Sequence, residues 1–397
     1  MLTIEGKFNS AMVYTDRIDD LTGAQILELC NQEFSKGSKI RIMPDVHAGK
    51  GCVIGTTMTI SDKVVPNLVG VDIGCGVRVT ALKKKRSGID LEKLDEAIRN
   101  VIPSGFDIRK KAHKKFKDID LTKLRCAEFV DMDRAALSIG TLGGGNHFIE
   151  LDVDVDNNFY LIVHSGSRNL GKQVAEHYQK LAYSRLTKNK DKIQEIIEEL
   201  RRNGCEKDIQ KSIIDLKSYK VTKDLAWLEG PDLDDYLHDI ALVQLFASFN
   251  REAISDEIEK AAGFNMDYAV ETIHNYIDVE NKILRKGAVS ARALEPLVIP
   301  MNMRDGTLLC FGKGNPEWNY SAPHGAGRLF SRSEAKQQVG LREFRDSMKG
   351  IFSTSVKEST LDESPMAYKP MNEIINQIKD TVQISMILRP VYNFKAS

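Results

Sequence analysis

The pattern of apolar and polar positions divides the chain into many short strands and a few longer helices. Residues 38–82 read as strand-rich. Ile40 to Met43 leads into a loop at Asp45, the β-branched run Cys52 to Ile60 ends in a turn, and Val77 to Leu82 follows a glycine-rich loop. Residues 88–101 show helical periodicity, with Asp90 placed to cap a helix before Leu91. His147 opens a short strand, HFIEL, and the apolar run FYLIV from Phe159 reads as a buried strand that runs straight into His164. Residues 172–220 are charged, amphipathic and broken at Asn203-Gly204, which predicts a helical hairpin insertion over roughly 187–221. A second long helix is expected over 236–260. Its middle, Ile240 to Phe249, is apolar on nearly all sides and should be buried. Beyond it, short strands (Leu308 to Phe311, Ile384 to Leu388) mix with helices, one of which Ser331 or Ser333 could cap. There is no regular alternation of strand and helix, no internal repeat and no linker rich in Pro, Ser or Gly. The expected fold class is therefore α+β: one irregular mixed domain over 1–397, with a β-rich metal-binding core surrounded by helices.

Composition narrows the function. The chain has 397 residues, and 56 Lys+Arg balance 56 Asp+Glu, so its formal net charge is zero. Any nucleic-acid contact must then come from local patches rather than bulk charge. Two basic stretches qualify, Lys83 to Arg86 and Arg109 to Lys117. The second interleaves His113 and Phe116 with six cations. Such a stretch suits a nucleic-acid backbone with a stacking ring, or simply a solvated loop. The hairpin has the same two readings, a partner- or RNA-binding arm or a solvated insertion. Six cysteines lie far apart with no CxxC pair, which argues against a structural zinc knuckle. With no signal-peptide pattern and no apolar run of membrane-spanning length, a cytoplasmic protein with reduced thiols is expected.

The chemistry is concentrated in loops. Five of the eight histidines sit in tracts rich in Gly, Ser and Asn: MPDVHAGKG (Asp45, His47), GGGNHFIE (His147), VHSGSRN (His164), TIHNY (His274) and PHGAGR (His324). VGVDIGCG adds Asp72 and Cys75. Residues of these types let a backbone turn tightly and approach a ligand. Asp72 and Cys75, three apart in a tight loop, can converge on one point, and a thiolate can bridge two cations. With His147, His164 and His274 they make five ligands, too many for one tetrahedral zinc but suited to two metals sharing a sulfur. Ligand softness alone would favour zinc. Two-metal centres commonly serve phosphoryl chemistry. Gly140 to Phe148 offers backbone N–H groups to phosphate, Arg168 offers a forked donor, and Arg285, Lys286 and Arg292 add cations. His324 reads as a sixth ligand, a general base or a covalent nucleophile, and spacing does not choose among them. Asp45 and His47 fall on the substrate side, His47 as an acid or base or as a hydrogen-bonding loop residue.

Together the tracts resemble the RtcB family of RNA ligases. The resemblance runs in order through MPDVHAGKG, VGVDIGCGVR, GTLGGGNHFIEL, HSGSRNLG, the DLAWLEG…DDYLHDIALVQLFASFNREAI stretch, HNY, RKGAVSARA, HGAGR and PMAYK to the tail. It implies an enzyme that uses GTP and two Mn²⁺ to join RNA 3′-phosphate or 2′,3′-cyclic phosphate ends to 5′-hydroxyl ends, in RNA repair or splicing. It implies one Mn²⁺ on Asp72, Cys75 and His147, and another on Cys75, His164 and His274. His324 would carry GMP, and manganese would replace the zinc that softness suggested. The implied guanylate pocket comprises Asn146, His147, Phe148, Ile149, Glu150, His274, Asn275, Pro300, Met301, Asn302, Met303, Thr307, His324, Gly325, Ala326, Gly327, Tyr368 and Lys395. The chain departs from the family's usual Pro-Gly-Ser-Met run: Met301 and Asn302 follow Pro300, Asn302 retaining a donor and Thr307 offering a hydroxyl further on. The hairpin also looks longer than in familiar bacterial members. Two other readings compete: a metal-dependent phosphodiesterase that uses no nucleotide, and a non-catalytic RNA-binding protein. His324, Tyr368 and Lys395 discriminate against the first, since a phosphodiesterase needs none of them. Asp72 and Cys75 discriminate against the second.

Overall fold

The computed structural model describes residues 1–85, 88–187, 197–210 and 221–396. Two sheets dominate. The first has six strands in the order Leu2–Glu5, Ser10–Val13, Ile40–His47, Ile54–Thr59, Ile283–Lys286 and Asn275–Asp278. All its pairings are antiparallel except Ser10–Val13 with Ile40–His47. The second has seven, in the order Met266–Ile273, Gly76–Lys85, Asn158–Ser165, Phe148–Val153, Val382–Lys395, Gly306–Gly312 and Pro296–Asn302. A hydrogen bond from Val298 N to Thr272 Oγ1 (3.0 Å) ties its two edge strands together. The curled interior holds Val77, Val79, Phe148, Ile162, Val298 and Leu388. This mixed, mostly antiparallel arrangement is the α+β class that the sequence predicts.

Helices cover the outer faces. Asp90 caps Leu91–Val101 by accepting from Lys93 N, as its position before Leu91 implied. Ser331, with Glu334, forms a full capping box on Arg332–Gln338. The long helix Gly230–Ala262 starts earlier than expected because Pro231 suits a first helical turn, and it stops at Gly263 with φ 63°. Its Ile240, Val243 and Phe246 are fully buried, but Leu245 is 42% exposed, so the apolar middle leaves one stripe to solvent. Within the predicted hairpin, 197–202 are helical and turn at Asn203-Gly204; 188–196 and 211–220 lie outside the described residues. No helix among the described residues is long and apolar enough to cross a membrane.

Register explains how distant loops meet. Ile273 pairs with Gly76, Gly76 with Ser165, His164 with Phe148, and Phe148 with Lys395. Five adjacent strands therefore present one set of ends together, and Cys75, His147, His164 and His274 stand at those ends.

Candidate metal centre and adjoining pocket

Those strand ends create two three-residue clusters that share a sulfur: Asp72, Cys75 and His147, and Cys75, His164 and His274. In each cluster the ligand atoms lie within 4.8 Å of one another. Cys75 Sγ is 3.5 Å from His147 Nε2 and 3.3 Å from His164 Nε2, and His164 Nε2 is 3.4 Å from His274 Nε2. The far nitrogens are engaged: His147 Nδ1 lies 2.8 Å from Leu142 O, and His164 Nδ1 lies 3.1 Å from Asn146 O. A carbonyl accepts only from an N–H, so each ring carries a proton on Nδ1 and presents Nε2 to the sulfur. Asp72 sits against Gly166, where a Cβ would come within 2.3 Å of its Oδ1; only glycine permits that approach. Ser167 N donates to the same oxygen (3.1 Å).

The electrostatics suit a cation. Burial pushes His164 and His274 well below the usual imidazole range, so both are neutral ligands. Burial, reinforced by the Asp72 charge, pushes the Cys75 thiol well above its usual range. For Asp72, burial acts upward, but the hydrogen bond and charge of His147 outweigh it and hold the carboxyl at about 2. A thiol so disfavoured as a thiolate, beside an ionised carboxylate and three inward nitrogens, is a donor set completed by positive charge. The residues fit divalent metal.

The long helix supplies the scaffold. Asn250 Oδ1 accepts from Gly140 N and Thr141 N, while its Nδ2 donates to Thr141 O, Ser165 Oγ and Gly166 O. Arg251, fully buried, donates to Gly74 O, Ser165 O and Glu271. Two neighbouring side chains thus hold three metal-bearing loops. The sequence signal was an Asn-Arg pair inside the apolar stretch FASFNREAI, which the reading by periodicity passed over.

A cavity of about 720 Å³ adjoins this centre. His164 and His274 line one side, His324 and Gly325 to Gly327 another, with Asn146, Phe148, Glu150 and Pro300 to Met303 completing much of the wall. His324 lies beside His274, ring centres 4.8 Å apart. Its backbone N and its Nδ1 reach Asp45 Oδ2 at 3.1 and 2.7 Å. Asp45 is fully buried, which corrects its expected contact with substrate: it stands behind His324 and leaves Nε2 as that ring's free nitrogen. His47 lines the cavity, with Nδ1 against Asp45 O (3.1 Å), and burial drops it to about 4.

At the far end, Glu363 receives Lys395 Nζ (2.5 Å), Tyr368 OH (2.9 Å) and Arg332 (2.8 Å). Burial acts upward on Glu363, but Lys395 and Arg332 hold it below the usual carboxylate range. Glu150, bonded by Asn393, is raised by burial to about 7 despite Lys395. Glu363 was missed by the sequence reading, although it stands five residues before Tyr368 in the DESPMAYK tract.

Other expected contacts fall elsewhere. Ile149 points to the opposite face of its strand, into the apolar core. Asn275 spans Asp72 O and Gly287 N rather than facing the cavity. Asn302 lines the cavity but spends its side chain closing a turn with Arg304 and Asp305. Thr307 is fully buried away from the wall. Arg285 is fully buried and bonded to Tyr276, Ser321 and backbone carbonyls, so it reaches no substrate. Lys286 donates to Lys50 O and Cys52 O, and Arg292 pairs with Asp278. These cations are structural. Arg168 is half-buried near the centre, bridging Thr141 and Gly105. In the Arg109–Lys117 stretch, Arg109, His113, Lys114 and Lys115 pair with Glu252, Asp256 and Glu257 of the long helix.

The family model described as "tRNA-splicing ligase RtcB" matches residues 30–131 and 119–396. The chain belongs to the RtcB family. The RNA-splicing ligase RtcB of Escherichia coli K12 is 32% identical over 393 residues, covering 89% of this chain and 88% of that protein. The tRNA-splicing ligase RtcB of Aeropyrum pernix is 24% identical over 444 residues, covering 88% and 86%. The RNA-splicing ligase RtcB of Mycobacterium tuberculosis is 25% identical over 418 residues, covering 84% and 90%. As in the resemblance stated from the motifs, RtcB membership extends over most of the chain.

Proposed function

We propose that the protein is a GTP- and Mn²⁺-dependent RNA ligase that joins a 3′-phosphate or 2′,3′-cyclic phosphate end to a 5′-hydroxyl end. One observation carries the reading: His324, with Nδ1 held by a buried carboxylate, lies on the wall of a nucleotide-sized cavity, beside the imidazoles of a two-cluster metal centre. A phosphodiesterase would need that centre but not a histidine so prepared.

A terminal phosphomonoester resists attack by a hydroxyl because its leaving group would be hydroxide or oxide. His324 Nε2 attacks the α-phosphorus of GTP, forming a phosphoramidate and expelling pyrophosphate. Asp45 holds the Nδ1 proton and compensates the positive charge that develops on the ring. An oxygen of the RNA 3′-phosphate next takes the GMP from His324. The 5′-hydroxyl then attacks the RNA phosphorus and GMP leaves. Glu150, Lys395 and Tyr368 hold the nucleotide at the far end, where a carboxylate and an ammonium match the donors and acceptor of a guanine edge. Divalent cations on Asp72, Cys75, His147, His164 and His274 would neutralise phosphate charge and orient the in-line groups.

Incubation with α-labelled GTP and MnCl₂ should give an acid-labile, alkali-stable GMP adduct on the protein. No adduct on the wild type, or an adduct that survives His324→Ala, would sink the mechanism.

A further inference from the structure

Phe106 is 95% exposed, yet the loop that carries it is tightly fixed. Leu142 N donates to Pro103 O, Gly105 N to Gly143 O and Asp107 N to Ser104 O. Arg168 Nη2 donates to Gly105 O, and Arg134 Nη2 donates to Phe106 O itself. An apolar side chain left naked on a backbone this well anchored differs from one on a fraying tip.

The anchor is the glycine-rich run before His147. A Cβ on Gly144 would stand 3.7 Å from Gly105 Cα, and one on Gly145 would stand 4.0 Å from Arg332, which lines the cavity mouth. Asn146, next in the chain, lines the cavity too. The loop that carries the ring therefore packs on the run that leads into the cavity wall. Its charge surroundings are basic. Arg134 and Arg168 hold its loop, and Lys110 and Lys111 are exposed and have no ion partner among the described residues. Asp107 is the one acid between Ile102 and Ala112, although Asp131 and Asp133 flank Arg134 on its short helix.

We infer that Phe106 is a stacking platform for an unpaired base of the RNA strand being joined, with Arg134, Lys110 and Lys111 beside it tracking the backbone phosphates. This rests on the ligase reading and adds to it a subsite outside the nucleotide cavity. Every base offers a π-face, so such a platform binds single strands whatever their sequence and adds affinity without base-specific hydrogen bonds. It favours unpaired ends, because a base inside a duplex already has its stacking partners.

Phe106→Ala alters an exposed ring and should leave the fold intact. The KM for a short single-stranded RNA ending in a 3′-phosphate should rise about tenfold, the weight of one base–aromatic stack. GMP labelling by GTP should not change. Replacing the stacked nucleotide by an abasic one should erase the difference between Phe106→Ala and the wild type. In Phe106→Trp, whose KM should stay near the wild-type value, the added indole should be quenched by the same RNA in the absence of GTP. An unchanged KM in Phe106→Ala together with an unquenched Phe106→Trp overturns the inference, and a protein-docking role for the ring would give that result. Failure of the wild type to take GMP from GTP counts against the ligase reading instead, and the quench without nucleotide still decides the stack.

Discussion

The sharpest test of the His324 arrangement is Asp45→Asn. Asp45 is fully buried, and its Oδ2 accepts from both the backbone N and Nδ1 of His324. Oδ1 has no hydrogen-bond partner among the described residues. A carboxylate can only accept, so it fixes the proton on Nδ1 and leaves the lone pair on Nε2. An asparagine keeps the shape but has one acceptor. Its oxygen can take the place of Oδ2 and accept from both N–H groups, with the amide nitrogen where the unpartnered Oδ1 stands, so the tautomer is kept. The charge that offsets a positive ring is lost. Losing the charged acceptor of a developing imidazolium costs about 1.5–3 kcal/mol of barrier, or about 10–150-fold in rate. Single-turnover formation of the GMP adduct from α-labelled GTP reads it directly. Sealing of an RNA already carrying 3′-linked GMP bypasses His324 as nucleophile and should be nearly untouched. Stability should change little, because the loss of a buried charge is offset by an amide nitrogen left in the unpartnered Oδ1 place. Adduct formation at the wild-type rate would refute the charge argument, as would equal loss of sealing on the pre-activated RNA.

Four further outcomes follow from the centre, its support and the cavity wall. Cys75→Ala should weaken Mn²⁺ at both clusters in equilibrium dialysis, whereas Asp72→Ala and His274→Ala should each weaken one; a Cys75→Ala protein that keeps its full Mn²⁺ complement would remove the bridging role. Because burial and Asp72 hold the Cys75 thiol protonated, binding must release that proton, so Mn²⁺ affinity in the wild type should climb with pH by about tenfold per unit. His47 is held at about 4 in the fold, below the about 6.5 of an unfolded chain, so the unfolded state takes its proton first as pH falls. Its contribution is complete above about pH 6.5 and should drain by about 1.4 kcal/mol per unit down to about pH 4, a slope that His47→Gln should reduce in urea melts. Asn250→Ala removes five hydrogen bonds that join the loops at Gly140–Thr141 and Ser165–Gly166; it should cost about 3 kcal/mol or more and lower Mn²⁺ affinity with it, and a melt unchanged from wild type would deny the helix its scaffolding part.

What could be read from the sequence was local. Strands at Ile40–His47 and Asn158–Ser165, the caps at Asp90 and Ser331, and the five metal-type residues all announce themselves within a few positions of the chain. The pairing of strands does not. Met266–Ile273 lies against Gly76–Lys85, and no local pattern connects them, yet that pairing brings His274 to Cys75. The cations failed for a related reason. Arg285 and Arg168 look alike in glycine-bearing tracts, but a Tyr276 hydroxyl and Ser321 enclose one while the other bridges Thr141 and Gly105 beside the centre. Context decides a charge in a polar tract, so such a charge says little by itself. A polar residue inside an apolar run says more, because burial forces it to find partners or pay the desolvation cost. Asn250 and Arg251 in the most apolar helix, and Glu150 in a buried strand, are of this kind, and each proves to hold or line the site. The same reasoning runs in reverse for Phe106, an apolar ring that the fold leaves in water on a rigid loop beside the centre. A polar group forced inside and an apolar group held outside are both exceptions to the pattern that folds the chain, and Asn250, Arg251, Glu150 and Phe106 are such exceptions on the segments that build or adjoin the site.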